Sequence, residues 1–181
     1  MAAYGSLQGA DAYHEARGRE QWFSAAEPAR LAALVRGSDY VDQRYVATDC
    51  VATFPGRRAG GLAQDREWPR AGAMDRDGNA LPDDVVPAAV ERAAYEAAYR
   101  ELLNPGSLSP DYVAAEHVTR EKVGPIEVSY GASASGQANR PVVPVIDEIL
   151  AGLLFRRCGI GVLVVRWSPP YTSAHTQPRP G

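Results

Sequence analysis

The chain has 181 residues, a formal net charge of −3 and a pI near 5.6. The length suits one domain, and 45 % hydrophobic residues exclude a chain that is disordered throughout. The mildly acidic balance counts against a free-standing nucleic-acid binder with a broad basic face. Much of the apolar content is alanine, which predicts a thin core of close-packed helices, open to completion by neighbouring subunits.

The start Met1-Ala2-Ala3-Tyr4 lacks a basic region followed by an apolar run. Cys50 and Cys158 have no ligand spacing, so two free thiols in a reducing compartment are expected. The apolar runs at 149–155 and 160–165 are too short to span a bilayer. A soluble, cytoplasmically made protein with no membrane partner is the expectation.

Ser6 predicts the N-cap of a short helix that runs to about Arg17 and stops at Gly18. Trp22 and Phe23 are the anchor ahead of the next helix. Ser24-Ala25-Ala26-Glu27 has the capping-box pattern, and Pro28 falls in the first turn, where proline is tolerated. Leu31, Leu34, Val35, Ser38, Val41, Asp42 and Tyr45 then recur at helical period. They predict one long helix to about Tyr45, with Gly37 as a point of bending.

Residues 46–85 are rich in Gly, Pro, Asp and Arg and show little periodicity. A connection this long is expected to be functional or held by partners. Pro87 starts the clearest helix, with Val90, Ala93, Ala94, Ala97, Ala98 and Leu102 as its apolar stripe. Tyr95 and Tyr99 flank that stripe, Glu91, Arg92, Glu96 and Arg100 form the polar side, and Asn104-Pro105-Gly106 ends the helix.

Residues 118–123 and 126–130 alternate about Gly124-Pro125 and predict a β-hairpin whose apolar side carries Ile126, Val128 and Tyr130. A small polar linker follows at 132–139. Pro141 and Pro144 introduce a last short helix through Ile146, Ile149, Leu150, Leu153 and Leu154. The run from Ile160 to Trp167 has high β propensity and precedes a Pro-rich end. Residues 1–155 thus form one helical domain, and 156–181 a C-terminal arm.

Catalytic and metal signals are weak. Asp75-Arg76-Asp77-Gly78-Asn79 misplaces the glycine of a calcium loop and puts Val86 where its glutamate belongs, so a turn is the better reading. His14, His117 and His175 have no zinc spacing. No nucleophile elbow, Walker loop or dinucleotide fingerprint occurs. The expectation is a protein without catalytic residues, metal or cofactor.

Arg66, Trp68 and Arg70, with Arg57 and Arg58 nearby, admit two readings. Exposed aromatics stack bases while arginines hold phosphates in single-strand binders. Alternatively, Trp68-Pro69 packs on the helices and pins the loop, which the acidic balance favours. The tail also admits two. Ile160, Val162, Leu163, Val164, Val165, Arg166 and Trp167 pair as a strand within the subunit, or add as a strand to another protein.

Several motifs occur in a characteristic order: Tyr4-Gly5-Ser6-Leu7, Ala12-Tyr13-His14, Asp42 to Tyr45, Trp68-Pro69-Arg70, the Asp77-Gly78 turn, Pro87 with its helix, and residues 122–128. In that order, over residues 4 to 155, they resemble a family of small tailed-phage proteins. Members are described either as head–tail connectors (adaptors) or as DnaT-like single-stranded-DNA-binding proteins.

The resemblance implies a mainly α fold, a small helical bundle with a β-hairpin and an extended C-terminal arm. Its first implication for function is a structural virion protein of the neck, made in the host cytoplasm, a homo-oligomeric ring under the portal protein that meets a tail-side stopper or tail protein, with the tail strand Ile160 to Trp167 as its portal or inter-subunit contact. Double-stranded DNA would pass transiently through such a ring, and acidic lumen residues would let it slide. The alternative is a replication accessory that binds single-stranded DNA through Trp68 and the nearby arginines.

Overall fold

A computed structural model describes residues 2–45, 52–110, 120–123, 126–129 and 141–156. The linker at 132–139, the tail strand Ile160 to Trp167, both cysteines, His117 and His175 lie outside the described residues. The protein is mainly α with a small antiparallel hairpin.

Helix α1 spans Leu7–Glu15, and the Ser6 side chain accepts the Gly9 amide at 3.0 Å as its N-cap. Helix α2, Glu20–Ser24, buries Trp22 completely while Phe23 stays 45 % exposed, so only one of the two aromatics is an anchor. Helix α3 is Glu27–Arg44. The capping box does not form. Ala26 occupies the cap, and the Ser24 hydroxyl donates back to the Glu20 carbonyl, because α2 still holds that serine.

Helix α4, Ala88–Leu103, begins behind Pro87 and packs against α1, α2, α3 and α5 (Pro144–Ile149). Gly37 on α3 lets it sit directly on α4. A Cβ at position 37 would stand 2.5 Å from the Ala98 backbone nitrogen and 2.7 Å from the Ala94 carbonyl oxygen. This glycine is a place of close approach, and α3 runs through it as one helix. Ala93, Ala94, Ala97 and Ala98 are fully buried in the seam.

Of the predicted polar side of α4, Arg92 is exposed and Glu91 and Arg100 are half-exposed, but Glu96 is buried. Glu96 and Glu101 are each 2 % exposed. Glu101 closes the helix end by accepting the Gly106 and Leu108 amides at 2.9 Å each, and it pairs with Arg36 of α3 at 2.9 Å. Backbone donors just beyond a helix end are thereby satisfied by a side chain rather than by water.

The 46–85 segment is a folded excursion over its described residues. Strand β1 (Ala52–Thr53) pairs with β6 (Phe155–Arg156), and β2 (Arg57–Arg58) pairs with β3 (Arg70–Ala71), both antiparallel. A 3-10 turn covers Gly61–Ala63. The 75–79 stretch is a tight turn, in which Asp75 accepts the amides of Asp77 and Asn79 and Gly78 takes a φ of 87° that favours glycine. Strands β4 (Arg120–Val123) and β5 (Ile126–Ser129) form the expected hairpin, Val123 opposite Ile126 and Arg120 opposite Ser129.

Two apolar clusters share α4. One gathers Tyr4, Tyr40, Val41, Phe54, Trp68, Ile146 and Leu150; the other gathers Ala10, Trp22, Leu34 and Tyr95. The indoles of Trp22 and Trp68 are the largest buried side chains, each worth roughly 3 kcal/mol of apolar burial. Helix α5 stops at Ile149, earlier than its apolar spacing suggests, and Leu153 and Leu154 are buried from the turn that follows.

Candidate nucleic-acid interface

The arginines and tryptophan singled out in the sequence come together, but inside the protein. Trp68 is 1 % exposed, its ring edge-on to Phe54 with centroids 5.5 Å apart, and the Trp68-Pro69 peptide is cis. Its backbone amide donates to the Tyr4 hydroxyl at 3.0 Å, and that hydroxyl donates to Asp42.

Arg66 donates to Asp39 at 2.6 Å, to Asp42 at 3.1 Å and to the Ala2 carbonyl at 2.6 Å. Arg70 binds the carbonyls of Pro55 and Gly56 at 2.6 and 2.9 Å and pairs with Glu67. Arg58 pairs with Glu67 as well. Burial raises the Asp42 carboxyl above the usual range, against hydrogen bonds from Tyr4, Arg66 and Glu67 that pull it down.

A base needs an open ring face, and Trp68 has none. The arginines beside it are consumed by carboxylates and backbone carbonyls. The open hollow at this place, about 230 Å³, is lined by Asp39, Asp42, Asp65 and Glu67 together with Arg58 and Arg66. Its surplus of carboxylates repels a phosphodiester. Of the five, Arg57 is exposed and makes no ion pair with the described residues, while Arg58 is half-exposed but paired with Glu67. The tail residues Ile160, Val162, Leu163, Val164, Val165, Arg166 and Trp167 lie outside the described residues.

A second charged cluster sits where α1, α2 and α4 meet. Glu96 of α4 takes both oxygens to Arg19 at 2.9 and 3.0 Å, one to Arg100 at 2.8 Å and one to the Tyr13 hydroxyl at 2.9 Å. Arg17 approaches the same carboxylate at 3.9 Å. Burial acts to raise the Glu96 carboxyl, but the hydrogen bonds from Arg100, Arg19 and Tyr13 outweigh it and hold it below the usual range. Three guanidinium groups therefore share one carboxylate.

Aromatic rings interleave these arginines. The Arg17 guanidinium lies 3.4 Å from the Tyr13 ring centre and that of Arg19 4.4 Å from the Tyr99 ring centre. His14 is buried among Tyr13, Trp22 and Tyr99. Burial, then the Arg19 charge, pushes its imidazole down to about 4. Beside the cluster a hollow of about 240 Å³ is lined by Glu15, Gly18, Arg19, Glu20 and Phe23.

Sequence reasoning missed this cluster. Its members, at 13–23 and 96–100, are joined only by the packing of α1 and α2 on α4. The available signal was Arg17 and Arg19 lying between two aromatic pairs, Tyr13-His14 and Trp22-Phe23. Among the described residues, no group of three His, Cys, Asp or Glu side chains is placed to hold a metal ion, and no helix is long and apolar enough to cross a membrane.

A family model described as "Putative DnaT-like ssDNA binding protein" matches residues 1–167. No curated protein matches the chain, and no solved structure does. The match corrects the expectation of a head–tail connector. The family that covers nearly the whole sequence is described by single-stranded DNA and not by a structural role in the virion neck.

Proposed function

The chain belongs to the DnaT-like ssDNA-binding family, and from that membership we propose that it is a single-stranded-DNA-binding accessory protein of replication. The match over residues 1–167 carries this reading. The proposal gives the chain a binding role and no reaction to catalyse.

The structure bears on how such a role is performed. With a net charge of −3, the protein as a whole repels a phosphate backbone, so affinity has to come from a local cationic surface. Arg66 and Arg70 do not supply one, because they are buried and their guanidinium groups face carboxylates and backbone carbonyls of the fold. Weak, strongly salt-dependent binding is the physical expectation, with each phosphate contact adding about −0.7 to the slope of log affinity on log salt for a single strand.

The test is a fluorescence-anisotropy titration of the full chain against a labelled oligothymidylate and against a duplex of equal length, at low and at moderate salt. Preference for the single strand, with affinity falling as salt rises, is the expected result. Absence of single-strand binding at low salt overturns the proposal.

A further inference from the structure

The geometry points to the α1–α2–α4 junction as the place where a single strand binds, with phosphates on Arg17 and Arg100 and a base against Phe23. This inference rests on the single-stranded-DNA reading above and adds a site to it.

Three observations converge there. The first is charge. Glu96 is buried and neutralises one guanidinium equivalent, while Arg17, Arg19 and Arg100 surround it. The Arg17 side chain is 43 % exposed and that of Arg100 33 %. Each retains N–H donors beyond those given to the Tyr13 carbonyl and to Glu96. Guanidinium groups held in place by a buried carboxylate present donors to phosphate with little further ordering cost.

The second is aromatic surface. Phe23 is 45 % exposed on a helix whose neighbouring Trp22 is wholly buried. An exposed phenyl ring on a fixed helix is what base stacking requires. It edges the 240 Å³ hollow, which also contains Arg19.

The third is the distribution of the acids. Glu15 and Glu20 line the hollow at Phe23, whereas Glu96 is internal. A phosphate is thus repelled from the hollow and attracted to the Arg17–Arg100 side. A neutral base is not repelled. The polarity orients a nucleotide with its base toward Phe23 and its backbone toward the arginines.

Three variants separate the possibilities. Phe23→Ala removes an exposed ring that makes no hydrogen bond. Arg17→Ala removes the outermost guanidinium, whose contact with Glu96 is the longest of the three. Arg57→Ala removes an exposed arginine from the Trp68 side of the molecule. Each is checked for folding by its thermal melt and then titrated with labelled oligothymidylate.

The expected result is at least about fivefold weaker binding for Phe23→Ala and a salt slope shallower by about 0.7 for Arg17→Ala, with Arg57→Ala unchanged. Wild-type binding that neither Phe23→Ala nor Arg17→Ala weakens overturns the site and leaves the function standing. Loss of binding in Arg57→Ala alone also overturns it and moves the contact to the β2 edge. A wild-type protein that binds no single strand removes both the site and the function.

Discussion

The Tyr4 hydroxyl accepts the Trp68 backbone amide at 3.0 Å and passes its own proton toward Asp42. One phenol thus joins the start of the chain, the α3 helix and the 57–71 excursion. Tyr4→Phe keeps the ring and leaves a buried amide and a buried carboxylate without that partner. It should cost about 2–3 kcal/mol, read from urea denaturation followed by tryptophan fluorescence. Single-strand affinity, measured well below the melting point, should not change.

Gly37→Ala tests the α3–α4 seam. Alanine is intrinsically favoured over glycine in a helix by about 1 kcal/mol, so an exposed glycine would gain stability from this change. Here the new methyl meets backbone at 2.5 Å, and the helices must separate. A net loss of about 2–4 kcal/mol is expected, seen as a lower melting temperature. A rise in melting temperature would show that α3 and α4 do not touch at this point.

His14 sets a dependence on pH. Its folded value is lowered to about 4, by burial first and then by Arg19 and Arg17, against Glu96 and Asp11 which act to raise it. Between the unfolded value near 6.5 and that folded value, the unfolded chain binds a proton that the folded chain refuses. Stability therefore rises with pH through this window, is fully present above about 6.5, and declines toward pH 4 by on the order of 3 kcal/mol. His14→Phe cannot titrate. Between about pH 7 and pH 4.5 it should lose about 2–3 kcal/mol less than the wild type in chemical denaturation.

Glu101 holds the turn after α4 as well as pairing with Arg36. Glu101→Ala orphans the Gly106 and Leu108 amides and should cost about 2–4 kcal/mol. Hydrogen exchange gives the sharper readout: those two amides should lose protection first while the middle of α4 keeps its own.

The helices were legible because their signals are local. The 3.6-residue recurrence from Leu31 to Tyr45 and the proline ahead of Ala88 fix α3 and α4 to within a residue or two. The hairpin was legible for the same reason, since a Gly-Pro reversal lies between two alternating runs. The chemistry of the surface was less so.

Arg66, Trp68 and Arg70 have the same spacing in a base platform as in a buried knot, and only their partners decide. Those partners were partly visible. Asp39 and Asp42 stand three apart on one helix, and Asp42 falls within the apolar recurrence itself. An acid at a buried helical position implies a cation brought to it. Glu96 and Glu101 on α4 carried no such warning. Glu96 falls on the polar side of the helix, and the burial of both acids depends on α1, α2 and the 104–108 turn packing around them. The hollow beside Phe23 is local by contrast, lined by residues between 15 and 23 where α1 gives way to α2.

The alanine seam of α4 also bears on the entropy of folding and on sequence drift. Ala93, Ala94, Ala97 and Ala98 bury little area each, yet alanine has no rotamers to freeze. The seam therefore closes at low entropic cost and selects its partner by shape alone. At Ala94 and Ala98, where α3 approaches most closely at Gly37, the α3 backbone leaves little room for a larger side chain. Elsewhere in the core, volume gained at one position can be given up at another; opposite Gly37 it cannot, and descendants of the chain are expected to carry small residues at positions 94 and 98.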